Sequence, residues 1–288
     1  MPAYLFIEDI LHPYLRECGR EKKISTQEAE SSCAARLEEF FGGYWITNHD
    51  NIMKQTIDGS TVRRYREYRK LNGISPLTVK RELAVASAAC NYMRSEKDME
   101  IPNPFAGRLI SKKDERAQKP REIRVITEGE ESRLILAADP LTADIIRVAI
   151  GTGLRMSELL NLTWDQIQSD EIHFHPDQHK GGTWARCGMS KVAFEAIQRQ
   201  PAICEYVFHL NGMKINRRAL HTLFDRARKA AKVECTFHDL RRTCGSRIRE
   251  HAALDVASAQ LRHADVRTTR KWYADDPIDR VKDAVRKL

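Results

Sequence analysis

The sequence has few of the features that mark disulfide-rich, metal-binding or membrane proteins. Its seven cysteines are an odd number and include no C-x-x-C pair, which argues against a disulfide scaffold or a zinc finger and favours reduced thiols. No apolar run approaches the length of a membrane span, and the first residues, MPAYLFIEDI, lack a signal-peptide pattern. Internal repeats and low-complexity tracts are also missing. We therefore expect a soluble, cytoplasmic protein without a membrane partner.

Positive charge is present in excess. The 288 residues carry 48 Lys plus Arg against 40 Asp plus Glu, a net charge of +8. Residues 1–118 hold 19 basic and 17 acidic side chains, so most of the excess lies in the C-terminal part. This balance favours a polyanionic partner, although many proteins of other classes are equally basic.

Proline and polar residues divide the chain into two parts. The stretch 101–122 contains three prolines and the polar run SKKDER, a composition typical of a linker. Just beyond it, Thr127 and Glu130 have the spacing of a capping box, which predicts a new helix. Because the chain exceeds the usual size of one domain, we predict a helical domain over 1–118 and a second domain over 119–288.

Helical periodicity dominates the N-terminal part. From Thr78 to Lys97, apolar residues recur at three- and four-residue spacing, at Val79, Leu83, Ala86, Cys90 and Met93. Lys80 and Arg81 fall on another face, and Arg63 and Arg64 lie upstream in a cationic stretch with two tyrosines. These basic residues are candidate contacts with a polyanion. For the upstream stretch, a solvated helix face is the simpler interpretation.

The C-terminal part is predicted to be mostly helical with one β hairpin. Ile145, Ile146 and Val148 predict a buried helix that ends at the Gly-Thr-Gly run 151–153. Residues 171–175 and 183–187 look like two strands on either side of Gly181-Gly182, a hairpin signal. Further helices are predicted over 217–232 and 238–251. The fold class is therefore mainly α with a small β hairpin.

Six side chains in the second half supply what is needed to cleave a phosphodiester. A phenol can attack phosphorus, two guanidiniums can stabilise charge on the non-bridging oxygens, and Lys or His can protonate the leaving oxygen. Because phosphoryl transfer depends mainly on positioning and charge stabilisation, we expect no metal and no cofactor. The six candidates are Arg155, Lys180, His238, Arg241, His263 and Tyr273, the last being the only tyrosine after Tyr206.

The positions of these cations in their predicted helices and hairpin allow each side chain to face a cleft. Arg155 begins a helix, so its stem can be buried and its guanidinium fixed, and Glu158 on the same face can orient it. His238 and Arg241 are three residues apart, which places both on one helix face. Lys180 precedes the glycines of the hairpin tip. The alternatives are a structural Arg–Glu pair, a histidine bonded to the helix-start backbone and an exposed loop lysine.

Three motifs in this order resemble the tyrosine recombinase (phage integrase) family. They are GTGLRMSELLNLTW from residue 151, HDLRRT from residue 238, and LRH from residue 261 followed by Tyr273. The resemblance extends from Thr127 to the C-terminus, and SPLTVKREL over 75–83 is similar to the helical core-binding domain of such integrases. It implies a mostly helical catalytic domain after that core-binding domain. It also implies a site-specific DNA recombinase that forms a 3′-phosphotyrosine without metal or ATP.

The resemblance also assigns roles. Tyr273 is the implied nucleophile, Arg155 and Arg241 the phosphate clamps, and Lys180 the general acid, with His238 and His263 completing the set. Two positions depart from the family pattern. Arg262 replaces the glycine of a Leu-Gly-His element, and Tyr273 lies one residue later than usual, so that Trp272 stands at the usual position of the tyrosine. The implied DNA contacts are Lys80, Arg81, Arg63, Arg64 and Arg242.

The implied partners follow from the same resemblance. They are double-stranded DNA, three further copies of the chain that complete a homotetramer on DNA, and an accessory DNA-bending or excisionase factor. Free in solution, the chain is expected to be a monomer. A tail helix after Pro277 is expected to dock on a neighbouring protomer. A dedicated arm-binding domain is not expected, so we predict one short class of target site.

Two other functions use parts of this pattern. A catalytically inactive DNA-binding regulator would share the fold, but a degenerate relative is expected to lose Arg or Tyr positions that this chain keeps. A type IB topoisomerase-like enzyme uses a similar residue set, and the helical N-terminal similarity argues against it.

Overall fold

The computed structural model describes residues 4–48, 56–107, 124–176 and 184–262. The chain forms two compact units, Met1–Pro120 and Arg121–Leu288, and each has its own apolar core. Both are mostly helical with small antiparallel sheets, which confirms the predicted fold class. None of the helices in the described ranges is both long enough and apolar enough to span a lipid bilayer.

The first unit is built from helices around a two-stranded sheet. In chain order its elements are β1 (Tyr4–Phe6), α1 (Ile7–Glu17), α2 (Ile24–Phe41), β2 (Trp45–Asn48), α3 (Gly59–Leu71) and α4 (Pro76–Glu96). Strands β1 and β2 pair antiparallel, and α4 packs against both α1 and α2.

Helix α4 confirms the apolar periodicity predicted for this segment. Ser75 is its N-cap and accepts a hydrogen bond from the Thr78 amide, while Pro76 occupies the first turn, where its missing N–H leaves no bond unmade. All five predicted apolar residues are buried. Of the basic residues on the other face, Arg81 is exposed and Lys80 is half-buried.

A buried carboxylate joins α3 to α4. Glu82 accepts hydrogen bonds from the Tyr65 hydroxyl at 2.7 Å and from Arg69 Nε and Nη2 at 3.1 and 2.6 Å. These bonds satisfy a charge that would be costly to bury alone. Part of the cationic stretch in α3 is therefore structural, whereas Arg63 and Arg64 are exposed.

The second unit contains helices and two small sheets. In chain order its elements are α5 (Glu128–Ala137), α6 (Pro140–Thr152), α7 (Met156–Leu160), a 3-10 turn (Trp164–Gln166), β3 (Ile167–Gln168), β4 (Glu171–Phe174), β5 (Ala185–Gly188), α8 (Lys191–Gln198), β6 (His209–Leu210), β7 (Met213–Lys214), α9 (Arg217–Ala230), α10 (Phe237–His251) and α11 (Leu254–Leu261).

Helix α6 forms the centre of the second core. Ile145, Ile146 and Val148 are fully buried, and the helix packs against α5, α8 and α10. Asp139 caps its start by accepting a hydrogen bond from the Thr142 amide. Gly153 ends it in the left-handed conformation, at φ +69°, as the Gly-Thr-Gly run predicts.

The predicted hairpin strands pair in an antiparallel sheet. Strand β4 pairs with β5 from Glu171 opposite Gly188 to Phe174 opposite Ala185, and β3 adds a third strand that the sequence did not predict. The second strand begins at Ala185, two residues later than predicted. The tip of the hairpin, residues 177–183 with Lys180, lies outside the described residues.

Candidate active site

The turn between α6 and α7 presents Arg155. This residue is the N-cap of α7, a helix anchored by the buried Leu159 and Leu160. Glu158 accepts from the Arg155 backbone N–H at 2.8 Å and from its Nη1 at 2.6 Å. The Arg155 side chain is 31% exposed, so it is fixed by Glu158 yet remains open to the surface.

Helix α10 presents His238 and Arg241. The Thr236 amide donates to Asp239 at 2.7 Å, which fixes the start of the helix. Arg241 has a side chain only 4% exposed, and its two terminal nitrogens donate to the carbonyl oxygens of Gly153 and Leu261. Arg241 therefore connects α10 to the ends of α6 and α11, whereas His238 is exposed.

Three guanidiniums surround the carboxylate of Glu158. Its Oε1 binds Arg155, and its Oε2 lies 2.6 Å from Arg262 Nη2 and 3.9 Å from Arg241 Nη1. Burial by itself raises the pKa of Glu158, but the charge of Arg262, the backbone N–H of Arg155 and the other two guanidinium charges outweigh it and lower the pKa. The carboxylate stays ionised at neutral pH, and the cluster is positive.

Burial and like charges lower the pKa values of the α10 pair. Burial, and then the charge of Arg155, lower the pKa of Arg241 to about 10, so this guanidinium is still cationic at neutral pH. Desolvation by the surrounding protein, followed by the charges of Arg242 and Arg241, lowers the pKa of His238, although its side chain reaches the surface. His238 is therefore a neutral imidazole at neutral pH and can accept a proton.

This lowered pKa predicts a pH dependence of stability. Below the ordinary histidine pKa of about 6.5, the unfolded chain binds a proton at His238 that the folded chain resists, so the free energy of unfolding falls as pH falls. We expect the urea midpoint to drop more for the wild type than for His238→Gln between about pH 7.5 and about pH 5.5. The matched control, His251→Gln, removes an exposed histidine of the same helix that does not line the cleft. Equal drops in the wild type and His238→Gln would contradict the prediction.

Arg155, His238 and Arg241 line one cleft. Its volume is about 580 Å³, and the rest of its wall comes from α7, from the start of α10 and from the segment that joins β7 to α9. The end of β7 and the first turns of α9 add three further basic side chains to the wall, those of Lys214, Arg217 and His221. Residues that are distant in sequence therefore meet on a concave, cationic surface suited to an anionic ligand.

The other sequence-predicted site residues are placed differently. Arg242 Nη1 binds Asp239 at 2.8 Å, its side chain is largely buried, and it is not among the residues that line the cleft. Lys180, His263 and Tyr273 lie outside the described residues. The cleft thus holds part of the predicted set.

Sequence reasoning missed two residues that organise the site. Arg262 was noted only as a substitution for glycine, yet it binds Glu158. Gln260 donates to the carbonyls of Thr152 and Gly188 at 2.9 and 2.8 Å and accepts from the Gly188 amide at 3.0 Å. Gln260 therefore joins α11 to the hairpin and to the end of α6. The one signal in the sequence that could have pointed to Arg262 is that an arginine stands where the family pattern has glycine.

The end of α6 has no room for a side chain at Gly153. A Cβ there would lie 2.6 Å from Leu261 Cδ2 and 3.1 Å from Cys244 Sγ, and φ is +69°. We expect Gly153→Ala to lower the free energy of unfolding by about 2–4 kcal/mol, from backbone strain and overpacking together. Urea unfolding measures this. The control is Gly129→Ala in the first turn of α5, where a Cβ would meet only Arg133 Nη1 at an ordinary contact distance of 3.9 Å, and alanine should stabilise by about 0.4–1 kcal/mol. Equal stability of Gly153→Ala and wild type would refute the prediction.

Known proteins share both the sequence pattern and the fold. The model of the phage integrase family matches residues 124–278. A shufflon-specific DNA recombinase of Escherichia coli is 27% identical over 251 residues, which are 85% of this chain and 62% of that protein. The chain therefore spans less than two thirds of that relative's length.

Solved structures of integrases have the same fold. A lambda integrase dimer bound to a COC′ core site superposes with a TM-score of 0.74 at 17% identity, covering 93% of this chain and 77% of that one. The Tn1549 transposon integrase in complex with transposon right end DNA gives 0.71 at 18% identity, covering 99% of each chain. The family model matches more than half of the sequence. This chain belongs to the phage integrase family, the tyrosine recombinases that its motifs predict.

Proposed function

We propose that this protein is a site-specific DNA recombinase that cleaves and rejoins double-stranded DNA through a 3′-phosphotyrosine on Tyr273. The observation that carries this proposal is that Arg155, His238 and Arg241 line one cationic cleft. Membership of the phage integrase family supports the reaction class. The shufflon-specific recombinase, similar over 85% of this chain, supports site-specific recombination of DNA.

The chemistry follows from the charges in the cleft. The Tyr273 phenolate oxygen forms a bond to phosphorus while the bond from phosphorus to the 5′ oxygen breaks. Arg155 and Arg241 stabilise the charge on the non-bridging oxygens, which needs fixed, directional donors. Lys180 gives a proton to the leaving 5′ oxygen, and the neutral His238 is suited to accept one within the cleft.

The reverse reaction reseals the DNA without an external energy source. A 5′-hydroxyl from a second strand gives its proton to Lys180 as its oxygen bonds to phosphorus. The bond from phosphorus to the Tyr273 oxygen breaks, and that oxygen takes back the proton held by His238. One phosphoester bond is exchanged for another at each step, so ATP is not needed. His263 completes the set of proton-handling side chains in this proposal.

The proposal includes DNA contacts from both units. Residues 1–118 would act as the core-binding domain, with Arg63, Arg64 and Arg81 exposed and Lys80 half-buried on its helices. Phosphate contacts by such residues make DNA affinity fall steeply as salt rises. A lambda integrase tetramer bound to a Holliday junction has the same fold, with a TM-score of 0.71, which supports assembly as a homotetramer on DNA. An accessory DNA-bending or excisionase factor would set the direction of recombination.

Covalent capture tests the proposal. The wild type is incubated with duplexes from the flanks of its own gene, including nicked duplexes that release the 5′ fragment and trap the intermediate. We expect an adduct stable in denaturing gels, a free 5′-hydroxyl that polynucleotide kinase labels directly, and a tyrosine-linked nucleotide by mass spectrometry.

Other outcomes identify the competing functions. Specific DNA binding without an adduct would favour a catalytically inactive DNA-binding regulator. Relaxation of supercoiled plasmid without site preference would favour a type IB topoisomerase-like enzyme. A free 3′-hydroxyl with the protein on the 5′ end would contradict the proposed polarity of cleavage.

A further inference from the structure

Arg262 adopts a backbone conformation that suits glycine. It is the C-cap of α11, with φ +50° and ψ +49°, and its backbone N–H donates to the Ala259 carbonyl at 3.0 Å. Residues with a Cβ rarely adopt this left-handed conformation. An arginine at a position where glycine would fit without strain indicates that the arginine side chain has a role.

The Arg262 side chain is buried and held on several sides. Nη2 donates to Glu158 Oε2 at 2.6 Å, and Nη1 donates to the Gln260 carbonyl at 3.0 Å. The guanidinium lies over the ring of Phe174, with Cζ 4.6 Å from the ring centroid. Only 3% of the side chain is exposed. Arg262 is therefore not among the residues that line the cleft, and its ionic contact is with Glu158.

Arg262 and Arg155 together hold the Glu158 carboxylate. Oε2 is bound to Arg262 and to the Arg155 backbone, and it stays 3.9 Å from Arg241 Nη1. Without Arg262, the nearest remaining guanidinium nitrogen recorded for Oε2 is Nη1 of Arg241, at 3.9 Å. A carboxylate paired with Arg241 would neutralise a guanidinium that the phosphate needs.

We propose that Arg262 is a positioning residue that holds Glu158 against Arg155 and away from Arg241, so that both clamp guanidiniums stay directed at the scissile phosphate. The inference rests on the proposed recombinase function. Arg262 does not touch the reacting atoms in this proposal. It acts through Glu158, and its removal should lower the rate of cleavage rather than the affinity for DNA.

Two Arg262 variants and one matched control test the inference. Arg262→Gly removes the guanidinium and suits the left-handed backbone. Arg262→Lys keeps the positive charge but not the planar guanidinium with its several N–H donors. The control, Lys232→Gly, removes an exposed basic residue that also has a left-handed backbone, at φ +54°. The readouts are the rate of adduct formation at saturating nicked DNA and the Kd for the same DNA.

We expect Arg262→Gly to lower the adduct rate by about 10- to 100-fold with Kd within about twofold of the wild type. Arg262→Lys should recover part of the rate, and Lys232→Gly should match the wild type. Circular dichroism melting establishes that each variant is folded. Equal rates for Arg262→Gly and Lys232→Gly would overturn the inference.

A double-mutant cycle tests whether Arg262 acts through Glu158. In the Glu158→Gln background, Arg262→Gly should lower the rate by less than about threefold further, because the carboxylate that it positions is gone. The full loss in both backgrounds would show that Arg262 acts in another way. If the wild type forms no adduct, the proposed function fails and this inference with it. If only the Arg262 effects are missing, the inference alone fails.

Discussion

Replacing Tyr273 with phenylalanine will abolish the covalent protein–DNA adduct. The change removes one oxygen, the atom that would bond to phosphorus, and leaves the ring, so we expect a loss of at least about 10⁴-fold in adduct rate. The Kd for the same DNA should change by no more than about twofold, because phosphate contacts dominate affinity. Denaturing gels with labelled nicked duplexes measure the first quantity, and gel shifts measure the second.

The chain offers a matched control for the nucleophile. After Tyr92, the sequence contains only Tyr206 and Tyr273, so these are the two phenols of the second unit. The Tyr206 ring lies under Lys214 Nζ, 4.8 Å from its centroid. Tyr206→Phe keeps that ring and should keep the adduct. If the adduct persists in Tyr273→Phe and is lost in Tyr206→Phe, the assignment is wrong.

Arg241→Lys is expected to damage both catalysis and folding. An ammonium cannot reproduce a guanidinium that donates to two main-chain carbonyls and still directs N–H groups into the cleft. We expect the adduct rate to fall by about 10²–10³-fold, the usual loss when one oxyanion donor is removed. Because the side chain is only 4% exposed, the free energy of unfolding should also fall, by about 3 kcal/mol.

Comparison with Arg155→Lys separates these two effects. Arg155 is 31% exposed, so its replacement should lower the adduct rate to a similar degree while the urea midpoint changes little. Arg199→Lys is the control, since this half-exposed side chain binds Asp144 on a different surface. If Arg155→Lys and Arg241→Lys destabilise the fold equally, the structural part of this argument is refuted. An unchanged adduct rate in both would refute the role of the two arginines as clamps.

The features predictable from sequence are those with a local cause. The apolar period of α4 and the Gly-Thr-Gly end of α6 act over a few residues, and both are present in the fold. The two strands predicted from local sequence also pair, as β4 and β5. The contact between Arg155 and Glu158 is also local, because residues three apart share a helix face.

The features that could not be predicted depend on packing between distant segments. Arg262 and Glu158 are 104 residues apart, and Gln260 reaches Gly188 across 72 residues. No periodicity carries that information. The two-residue strands β3, β6 and β7 are also too short to have a pattern. Within α3, the sequence could not separate Arg69, which binds the buried Glu82, from its exposed basic neighbours.

The joint between α11 and the hairpin has a consequence for sequence variation. The side chain of Gln260 binds only the main-chain N–H and carbonyl of Gly188. A Cβ at residue 188 would lie at an ordinary contact distance, 3.7 Å, from Gln260 Oε1. The joint therefore depends on the side chain of Gln260 but hardly on the residue at 188. Homologous hairpins can diversify at this position without losing their attachment, whereas a change at Gln260 releases it.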